Sequence, residues 1–441
     1  MAITSPSLAE RSQRLGLRLI SKVGGLPVMA DPKVRGRAER ILNRGAHGGF
    51  KAQVAVGRAF TKSAGSGAAT RPATTRRSGR FDLTPTEDQQ MLQQAASDLA
   101  DEVIRPAGSR ADAERAVPDE VRDAMQQMGL ALVGVPVELG GIAEERSAVA
   151  GVLVLEQLAR GDMGIAVSQM ATAAVATALA LYGDSDQQAT YLPHFTGDEP
   201  VTAAALALQE PQPLFDPFDL VTTAVAQGDS LVLNGTKALV ANADRAEIFV
   251  VSAMVDGEAR LVVVEAATEG VTIEDDPAMG VRAAHTGRVV LTDVTVPTTN
   301  VLGTTDDHRD AVRRGRVAWA AAACGTARAV LDQVTAYARE RKAFGEPIGQ
   351  RQAVAFMIAD IAVELDGLRL ATLKAASRLD AATDAAQVVG EVRALTATHA
   401  VQIGSHAVQM LGGHGFVKEF DNERWYRDLR GAGVLEGTLL V

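Results

Sequence analysis

Apolar and polar residues alternate with a helical period through much of the N-terminal half of the chain. Apolar positions recur every three or four residues in VPDEVRDAMQQMGLALVGV (117–135), and SAVAGVLVLEQLARGD (147–162) is apolar enough to form a buried helix. An earlier helix is predicted to begin in FDLTPTEDQQML (81–92), where Thr84 or Thr86 can cap it with Glu87 and Asp88 in its first turn. The pattern therefore predicts an α-helical region that ends near residue 190.

The period changes to that of strands from about residue 200. Four short runs are rich in β-branched residues: SLVLNGTKALVANA (230–243), EIFVVSAMV (247–255), ARLVVVEA (259–266) and GRVVLTDVTVP (287–297). Asn-Gly, Asp-Gly and similar turn signals separate them, and no long helix fits between them. This region is predicted to form an antiparallel sheet or a small barrel.

The helical period returns near residue 309. One apolar stripe consists of Val354, Met357, Ile358, Ile361, Leu365 and Leu368. The segments VLDQVTAYARERKAF and VRALTATHAVQIGSHAVQML are also long and amphipathic. The predicted fold is mainly α with a middle β domain. An N-terminal α-helical domain (81–199) precedes a middle β domain (200–300) and a C-terminal helical bundle (301–441).

The first 80 residues differ from the rest in charge. They carry +13, whereas the remaining chain carries −23, so a basic extension (1–80) is set apart from an acidic body. The linker SAGSGAATRPATTRRSGR (63–80) is predicted to be disordered. The preceding basic segments are predicted to form a solvated arm or a packed helical extension, to contact an anionic membrane surface or a partner, or to act as an organelle transit peptide.

Composition excludes several classes of protein. Aromatic residues make up 4% of the chain, so the core must consist mostly of Ala, Val and Leu, which favours closely packed helices. No apolar run is as long as the ~20 residues of a membrane span. A single cysteine, Cys324, excludes an internal disulfide framework and favours a reducing, cytoplasmic location. The histidines have no metal-ligand spacing, so no metal is expected, and no nucleic-acid partner is expected either.

Three segments carry a resemblance to a known family: TDVTVPTTNVLG, ARERKAFGEPIGQRQAVAFMIADIA and AVQMLGGHGFVKEFDNERWYRDLRGAGVLEGT. In order and spacing they resemble the acyl-CoA dehydrogenases, over about residues 81–441. The resemblance implies a C-terminal bundle of four helices, FAD bound between subunits, an acyl-CoA substrate and a dimer or tetramer, here expected as a homotetramer. An electron-transfer flavoprotein is the electron acceptor that it implies.

The resemblance assigns the catalytic base to Glu436 in the EGT motif. In this reaction a carboxylate removes the α proton of the acyl chain while the β hydrogen leaves as hydride to the flavin. In relatives a backbone N–H at the glutamate and a hydroxyl of the flavin polarise the thioester carbonyl, and the resemblance implies the same donors here. Some relatives carry the base at the position of Gly315, where glycine cannot serve. From the residues alone, Glu436 could also be an acidic residue at the start of a last helix.

Further site residues follow from the same motifs. The cofactor-binding residues implied are Arg341, Phe344, Gln352, Gln409, Gly412, Gly413 and Thr438. Arg suits phosphate oxygens, and glycines let backbone N–H groups approach them. Arg316 matches an arginine that contacts the CoA portion in relatives. The alternatives are solvated arginines without a ligand and glycines that only end a helix.

The resemblance is weakest in the two segments that surround the flavin ring in relatives. Where relatives carry a TEPxAGSD-like segment and a W-I-T-N motif, this chain has QEPQPLFDP and LVAN. Gln209 and Phe215 therefore replace a threonine and a serine, and Leu239 and Ala241 replace the tryptophan and threonine near the ring. In relatives a further helix follows EGT, so its support of the Glu436 loop is expected to be weaker here.

Two functions from different classes remain. The first is an FAD-dependent acyl-CoA dehydrogenase that desaturates an acyl-CoA thioester in fatty-acid β-oxidation or related breakdown. The second is a catalytically weak or inactive subunit of a hetero-oligomeric acyl-CoA dehydrogenase, which the altered ring surroundings favour. A third hypothesis is a flavin oxidase or monooxygenase. The presence of Glu436 in the EGT motif argues against it.

Overall fold

The computed structural model describes residues 84–143, 146–196 and 201–439. The chain divides into two units, Met1–Arg80 and Phe81–Val441. The predictions for the basic extension, its linker and its membrane contact lie outside the described residues. The fold of the second unit confirms the predicted class: helices, then a sheet, then a helical bundle.

The N-terminal helices are α1 (Glu87–Leu99), which continues through a π-helical turn (Ala100–Ile104) into α2 (Arg105–Glu114), then α3 (Asp119–Gln127), α4 (Ala148–Gly161), α5 (Met163–Tyr182), α6 (Ser185–Tyr191) and α7 (Pro193–Thr196). Thr86 caps α1 in a capping box with Gln89, as the sequence predicts. Helix α3 is shorter than the helical pattern over 117–135, because Gly129 adopts φ 69° and ends it.

Helix α5 corrects one expectation from the sequence. By length and composition, its 20 residues could cross a membrane, whereas no such run was expected. The structure places 78% of its apolar window inside the protein, where it packs against α4 and the first strand, Ala204–Ala207. Its apolar surface is therefore accounted for by the core of the fold.

The strands are β1 (Ala204–Ala207), β2 (Thr223–Gln227), β3 (Ser230–Val240), β4 (Ile248–Val255), β5 (Glu258–Glu265), β6 (Val271–Asp275), β7 (Gly287–Pro297) and β8 (Val301–Leu302). They form one sheet in the order β6-β7-β3-β2-β4-β5-β8, and β1 pairs with β4. Most pairs are antiparallel, as predicted, but β4 is parallel to both β1 and β2. The positions of the four predicted strands are confirmed.

The C-terminal elements are α8 (Thr305–Glu340), the short strands β9 (Lys342–Ala343) and β10 (Glu346–Pro347), α9 (Gln352–Asp380), α10 (Ala386–Leu411), α11 (Gly413–Phe416) and α12 (Asn422–Ala432). Helix α8 is central and packs against α4, α9, α10 and α12. The predicted stripe on α9 faces this bundle: Ile361, Leu365 and Leu368 are fully buried. The predicted domain boundaries stay predictions, although the helices end at Thr196 and the strands begin at Ala204.

Small residues let α8 sit at the centre of the core. Ala318 and Ala320–Ala323 are all buried, as the low aromatic content predicts. At Gly325 a Cβ atom would lie 2.1 Å from the main-chain oxygen of Glu156 on α4. The backbones of α8 and α4 therefore approach more closely than any side chain at position 325 allows.

Candidate active site

Glu436 lies in a buried, non-helical segment that follows α12. Its side chain is 2% exposed, and in the described part of the chain no helix begins after it. The interpretation of Glu436 as an acidic residue that starts a last helix is therefore wrong. Leu435 and Leu439 are also buried and anchor the segment on both sides. The expected weak support of this loop is thus not seen for residues 435–439.

Two arginines from different helices hold one oxygen of the Glu436 carboxylate. The Nε atom of Arg316 on α8 donates to Glu436 Oε1 at 3.0 Å, and the Nη2 atom of Arg393 on α10 donates to the same oxygen at 3.1 Å. The other oxygen, Oε2, is buried and has no hydrogen-bond partner among the described residues. The carboxylate is therefore fixed by one oxygen and open at the other.

The surroundings act on the protonation of Glu436 in opposite directions. Burial raises the pKa of the Glu436 carboxyl, and the positive charges of Arg393 and Arg316 lower it, with burial the larger effect. A raised pKa makes the carboxylate a stronger base, and the two arginines oppose that rise. This balance is what a general base near neutral pH requires.

We expect substitution of Arg393 by Met to shift the pH dependence of activity. The carboxyl of Glu436 loses one neighbouring positive charge, so its pKa rises further. Activity requires the ionised carboxylate, and the acidic limb of the kcat/KM profile therefore moves to higher pH. The matched control is Arg430→Met, an exposed arginine on α12. An acidic limb that stays in place in Arg393→Met would contradict the assignment of Glu436 as the titrating base.

Two glycines bring the backbone of the EGT segment close to its neighbours. At Gly315 on α8 a Cβ atom would lie 2.3 Å from the carbonyl oxygen of Thr438. Gly437 has φ 92°, and a Cβ there would lie 2.8 Å from the carbonyl oxygen of Leu206. The position used for the base in some relatives therefore cannot hold a side chain unless the Thr438 segment moves away from α8.

The backbone N–H of Glu436 is engaged by a side chain from the middle domain. It donates to the amide oxygen Oε1 of Gln209 at 3.2 Å. The main chain of Gln209 is fixed in turn, since its carbonyl oxygen accepts from Ala238 N at 2.8 Å. The next residue, Glu210, is buried in an ion pair with Lys237, with 2.8 Å between Oε1 and Nζ.

The other positions that the resemblance places near a flavin ring are Leu239 and Ala241. Leu239 has φ 53°, and its N–H donates to Asp276 Oδ2 at 3.1 Å. Leu239 and Ala241 both pack, partly buried, against the helical core. Their side chains provide apolar contact and no donor, which is the change that the sequence predicts here.

The proposed dinucleotide-binding residues lie at another end of the bundle. The chain reverses between β9 and β10 through Phe344 and Gly345, both at positive φ, so the Phe344 side chain projects outward and is 96% exposed. Gly412 has φ 57° and open space around its Cβ position. A hydrogen bond of 2.9 Å between Tyr337 Oη and His414 Nδ1 joins the last turn of α8 to α11, which follows Gly412.

Arg341, Gln352, Gln409 and Gly413 are exposed on the same end of the bundle. No ion pair is formed by Arg341 with any described residue, so its guanidinium is available to a phosphate. Arg316 and Arg341 are separated by 25 residues of one continuous helix and its cap, which corresponds to ~37 Å. Within one chain, the dinucleotide surface and Glu436 therefore do not meet.

The residues present fit FAD in two respects. The open glycine backbone, the unpaired Arg341 and the exposed Phe344 suit a diphosphate and an adenine ring. The hydroxyl of Thr438, two residues from Glu436, is buried without a hydrogen-bond partner among the described residues, so it can bind a polar group of a ligand. Arg316 is engaged by Glu436, and its contact with CoA stays a prediction.

Sequence reasoning missed two residues that touch Glu436. Arg393 lies 43 residues before Glu436 and Gln209 lies 227 residues before it, so no local spacing relates them. The substitution at Gln209 was noticed as a departure at the flavin ring, but its contact with Glu436 N was not expected. For Arg393 the sequence held no signal beyond a lone arginine on an amphipathic helix.

Comparison with known proteins agrees with the fold. Three family models match: "Acyl-CoA dehydrogenase, N-terminal domain" at residues 86–199, "middle domain" at 205–294 and "C-terminal domain" at 308–440. A short-chain specific acyl-CoA dehydrogenase of Rattus norvegicus is 32% identical over 80% of this chain and 87% of its own. A 3-(aryl)acrylate reductase of Clostridium sporogenes is 30% identical over 80% and 96%.

Among solved structures, butyryl-CoA dehydrogenase from Megasphaera elsdenii superposes with a TM-score of 0.74. It is 26% identical, and the match covers 81% of this chain and 96% of that one. The three matched domains stand in the same order as the helices, sheet and bundle of the structure. This chain belongs to the acyl-CoA dehydrogenase family.

Proposed function

We propose that this protein is an FAD-dependent acyl-CoA dehydrogenase that removes the α proton and the β hydrogen of an acyl-CoA thioester, with Glu436 as the base. The observation that carries the proposal is the state of the Glu436 carboxylate, which is buried, fixed through Oε1 by Arg316 and Arg393, and free at Oε2. A base held in this way loses no energy to reorientation when it meets the substrate.

The residues of this chain prepare the proton transfer. Oε2 takes the α proton, since it has no competing donor among the described residues. The apolar surroundings disfavour the charged carboxylate, which raises its basicity toward a weakly acidic C–H. The oxidising power would be supplied by a bound flavin, as the acceptor of the β hydrogen.

A second copy of the chain is needed to complete the site. The ~37 Å that separates Arg341 from Arg316 along α8 is longer than an extended dinucleotide. An apolar stripe on α9 is also exposed: Phe356, Val363 and Leu370 are 62%, 73% and 49% accessible and lie at heptad spacing on one face. We therefore propose a homo-oligomer in which the partner subunit provides the dinucleotide surface.

The Arg341→Ala variant is expected to bind FAD about 10- to 100-fold more weakly. The lost contact is a charge-assisted hydrogen bond to phosphate, which contributes ~1.5–3 kcal/mol. Titration of the apoprotein with FAD, followed by flavin fluorescence, measures the change. Arg339→Ala, an exposed arginine two residues earlier, is the matched control. Equal affinity in Arg341→Ala and the wild type would remove Arg341 from the cofactor site.

Several finer features belong to the proposal. The reaction serves the oxidation of fatty acids or related acyl-CoAs, and an electron-transfer flavoprotein reoxidises the flavin. The single buried Cys324 supports a reducing, cytoplasmic compartment.

Anaerobic addition of acyl-CoAs of short, medium and long chain tests the function. Bleaching of the flavin absorbance is expected with at least one of them, and a purified flavoprotein that none of them bleaches would refute it.

A second candidate is supported by the ring-facing residues. Gln209, Leu239 and Ala241 place an amide and two apolar side chains where relatives carry hydroxyls and an indole. A subunit that completes a hetero-oligomer with an active relative could tolerate these changes. A protein that stays colourless after incubation with FAD supports this candidate, whereas a flavoprotein bleached by acyl-CoA supports the dehydrogenase.

A further inference from the structure

We propose that the Gln209 side chain occupies the carbonyl-binding position of the resting site, so that the substrate carbonyl must displace it. Gln209 is then a specificity-determining residue. The inference rests on the proposed function, because the backbone N–H of Glu436 is the donor to the thioester carbonyl in that reaction. In this structure the same N–H donates to Gln209 Oε1 at 3.2 Å.

Both partners of this hydrogen bond have fixed backbones. The Glu436 segment is held by the arginine pair at its carboxylate, by buried Leu439 and by the close approach of Gly437 to Leu206. The main chain of Gln209 is held by Ala238 N. The side-chain torsions of Gln209 are therefore the degrees of freedom that can release the donor.

Glu210, the residue that follows Gln209, is also held in place. Its carboxylate accepts from the backbone N–H of Val221 at 2.8 Å and of Thr222 at 2.9 Å, in addition to Lys237. Gln212 Nε2 also donates to it at 3.2 Å, and a buried carboxylate with four donors is costly to move. Release of the Glu436 N–H therefore proceeds by rotation of the Gln209 side chain, while the loop stays in place.

The chemistry of the two acceptors explains the competition. A carboxamide oxygen and a thioester oxygen are both sp² acceptors, and one N–H donor serves one of them well at a time. A threonine, as in relatives at this position, has its oxygen on Cβ, whereas the Gln209 amide oxygen lies two bonds further out. The self-contact is therefore a property of this residue and does not follow from the fold alone.

The consequence is a binding penalty for ligands that carry a carbonyl. Such a ligand exchanges one hydrogen bond for another at the Glu436 N–H, so the donor adds little to its affinity. A ligand without a carbonyl leaves Gln209 in place. Replacing Gln209 by Met, which keeps the length and removes the amide acceptor, is expected to tighten binding of the carbonyl ligand by roughly 2- to 10-fold.

The test compares two ligands on the FAD-loaded protein by isothermal titration calorimetry. The first is a 2-enoyl-CoA, which is already desaturated, chosen as the tightest binder of a series from short to long chain. The second is the corresponding S-alkenyl-CoA thioether, which lacks the carbonyl oxygen. Gln209→Met is expected to lower Kd for the first ligand and leave Kd for the second unchanged. Gln227→Met, the same exchange at an exposed position of β2, is the matched control and is expected to change neither.

Each outcome decides the matter. Equal changes for both ligands, or no change for either, would overturn the inference and leave the proposed function intact. Failure of every 2-enoyl-CoA to bind the wild type and Gln209→Met would contradict the proposed function and the inference with it. A gain confined to the carbonyl ligand supports Gln209 as the group that the substrate displaces.

Discussion

The Glu436→Gln variant is expected to reduce its flavin with acyl-CoA at least 10²- to 10⁴-fold more slowly than the wild type. The amide cannot accept the α proton, although it is nearly the same size as the carboxyl. Arg316 and Arg393 can still donate to the amide oxygen, which takes the place of Oε1. The fold and the affinity for FAD should therefore be retained.

Anaerobic stopped-flow measurement of flavin bleaching determines this rate. Glu423→Gln is the matched control, because Glu423 lies on the neighbouring α12 and pairs with Arg427, without contact to Glu436. Its rate of bleaching should stay near that of the wild type. A Glu436→Gln protein that bleaches as fast as this control would show that another group is the base.

The Gly315→Ala variant is expected to lose about 1–3 kcal/mol of stability and about 10²-fold in activity. The added methyl group would lie 2.3 Å from the carbonyl oxygen of Thr438, so the EGT segment must move away from α8. That movement pulls Glu436 from its two arginines, and a misplacement of about 1 Å is enough for a loss of this size.

Thermal unfolding and flavin bleaching measure the two effects separately. Gly390→Ala on α10 is the control, since nothing lies within 4 Å of its Cβ position. This exchange in an exposed helix should stabilise the protein by about 0.5–1 kcal/mol and leave activity unchanged. If Gly315→Ala behaved like Gly390→Ala, the close packing of the EGT segment on α8 would be refuted.

Periodicity was sufficient to predict the elements of the fold. The four β-branched runs became β3, β4, β5 and β7, and the stripe on α9 faces the bundle, since burial of an apolar face follows directly from spacing. The length of helix α3 was overestimated, because the apolar spacing continues past Gly129, where the backbone adopts a left-handed conformation that ends the helix. The spacing of apolar residues gives no information about the backbone conformation of a single glycine.

The site could be predicted only where a contiguous motif carries it. EGT pointed to Glu436, and RKAFG pointed to Phe344, whose exposure follows from a tight turn between β9 and β10. The clamp by Arg393 and the contact of Gln209 with Glu436 N join residues that are distant in the chain. Such pairs are fixed by the packing of helices and loops, which residue spacing does not encode.

The structure changes how the departures at the flavin ring should be understood. From the sequence alone, Gln209 replaces a threonine of relatives, and the loss of its hydroxyl is expected to weaken cofactor binding. In the fold its amide oxygen accepts a hydrogen bond from the backbone N–H of Glu436. Substitution at one position thus acts on the substrate side of the site, while the surface around Arg341 and Gly412 keeps the residues that suit a dinucleotide.

The measurement that tests the central claim most directly is exchange of the α protons of a bound acyl-CoA with deuterium from the solvent. Mass spectrometry after incubation in D₂O reports proton removal by Glu436 separately from electron transfer. We predict exchange that is catalysed by the wild type and by Glu423→Gln, and is absent in Glu436→Gln. Exchange that persists in Glu436→Gln at the rate of the wild type would contradict the account.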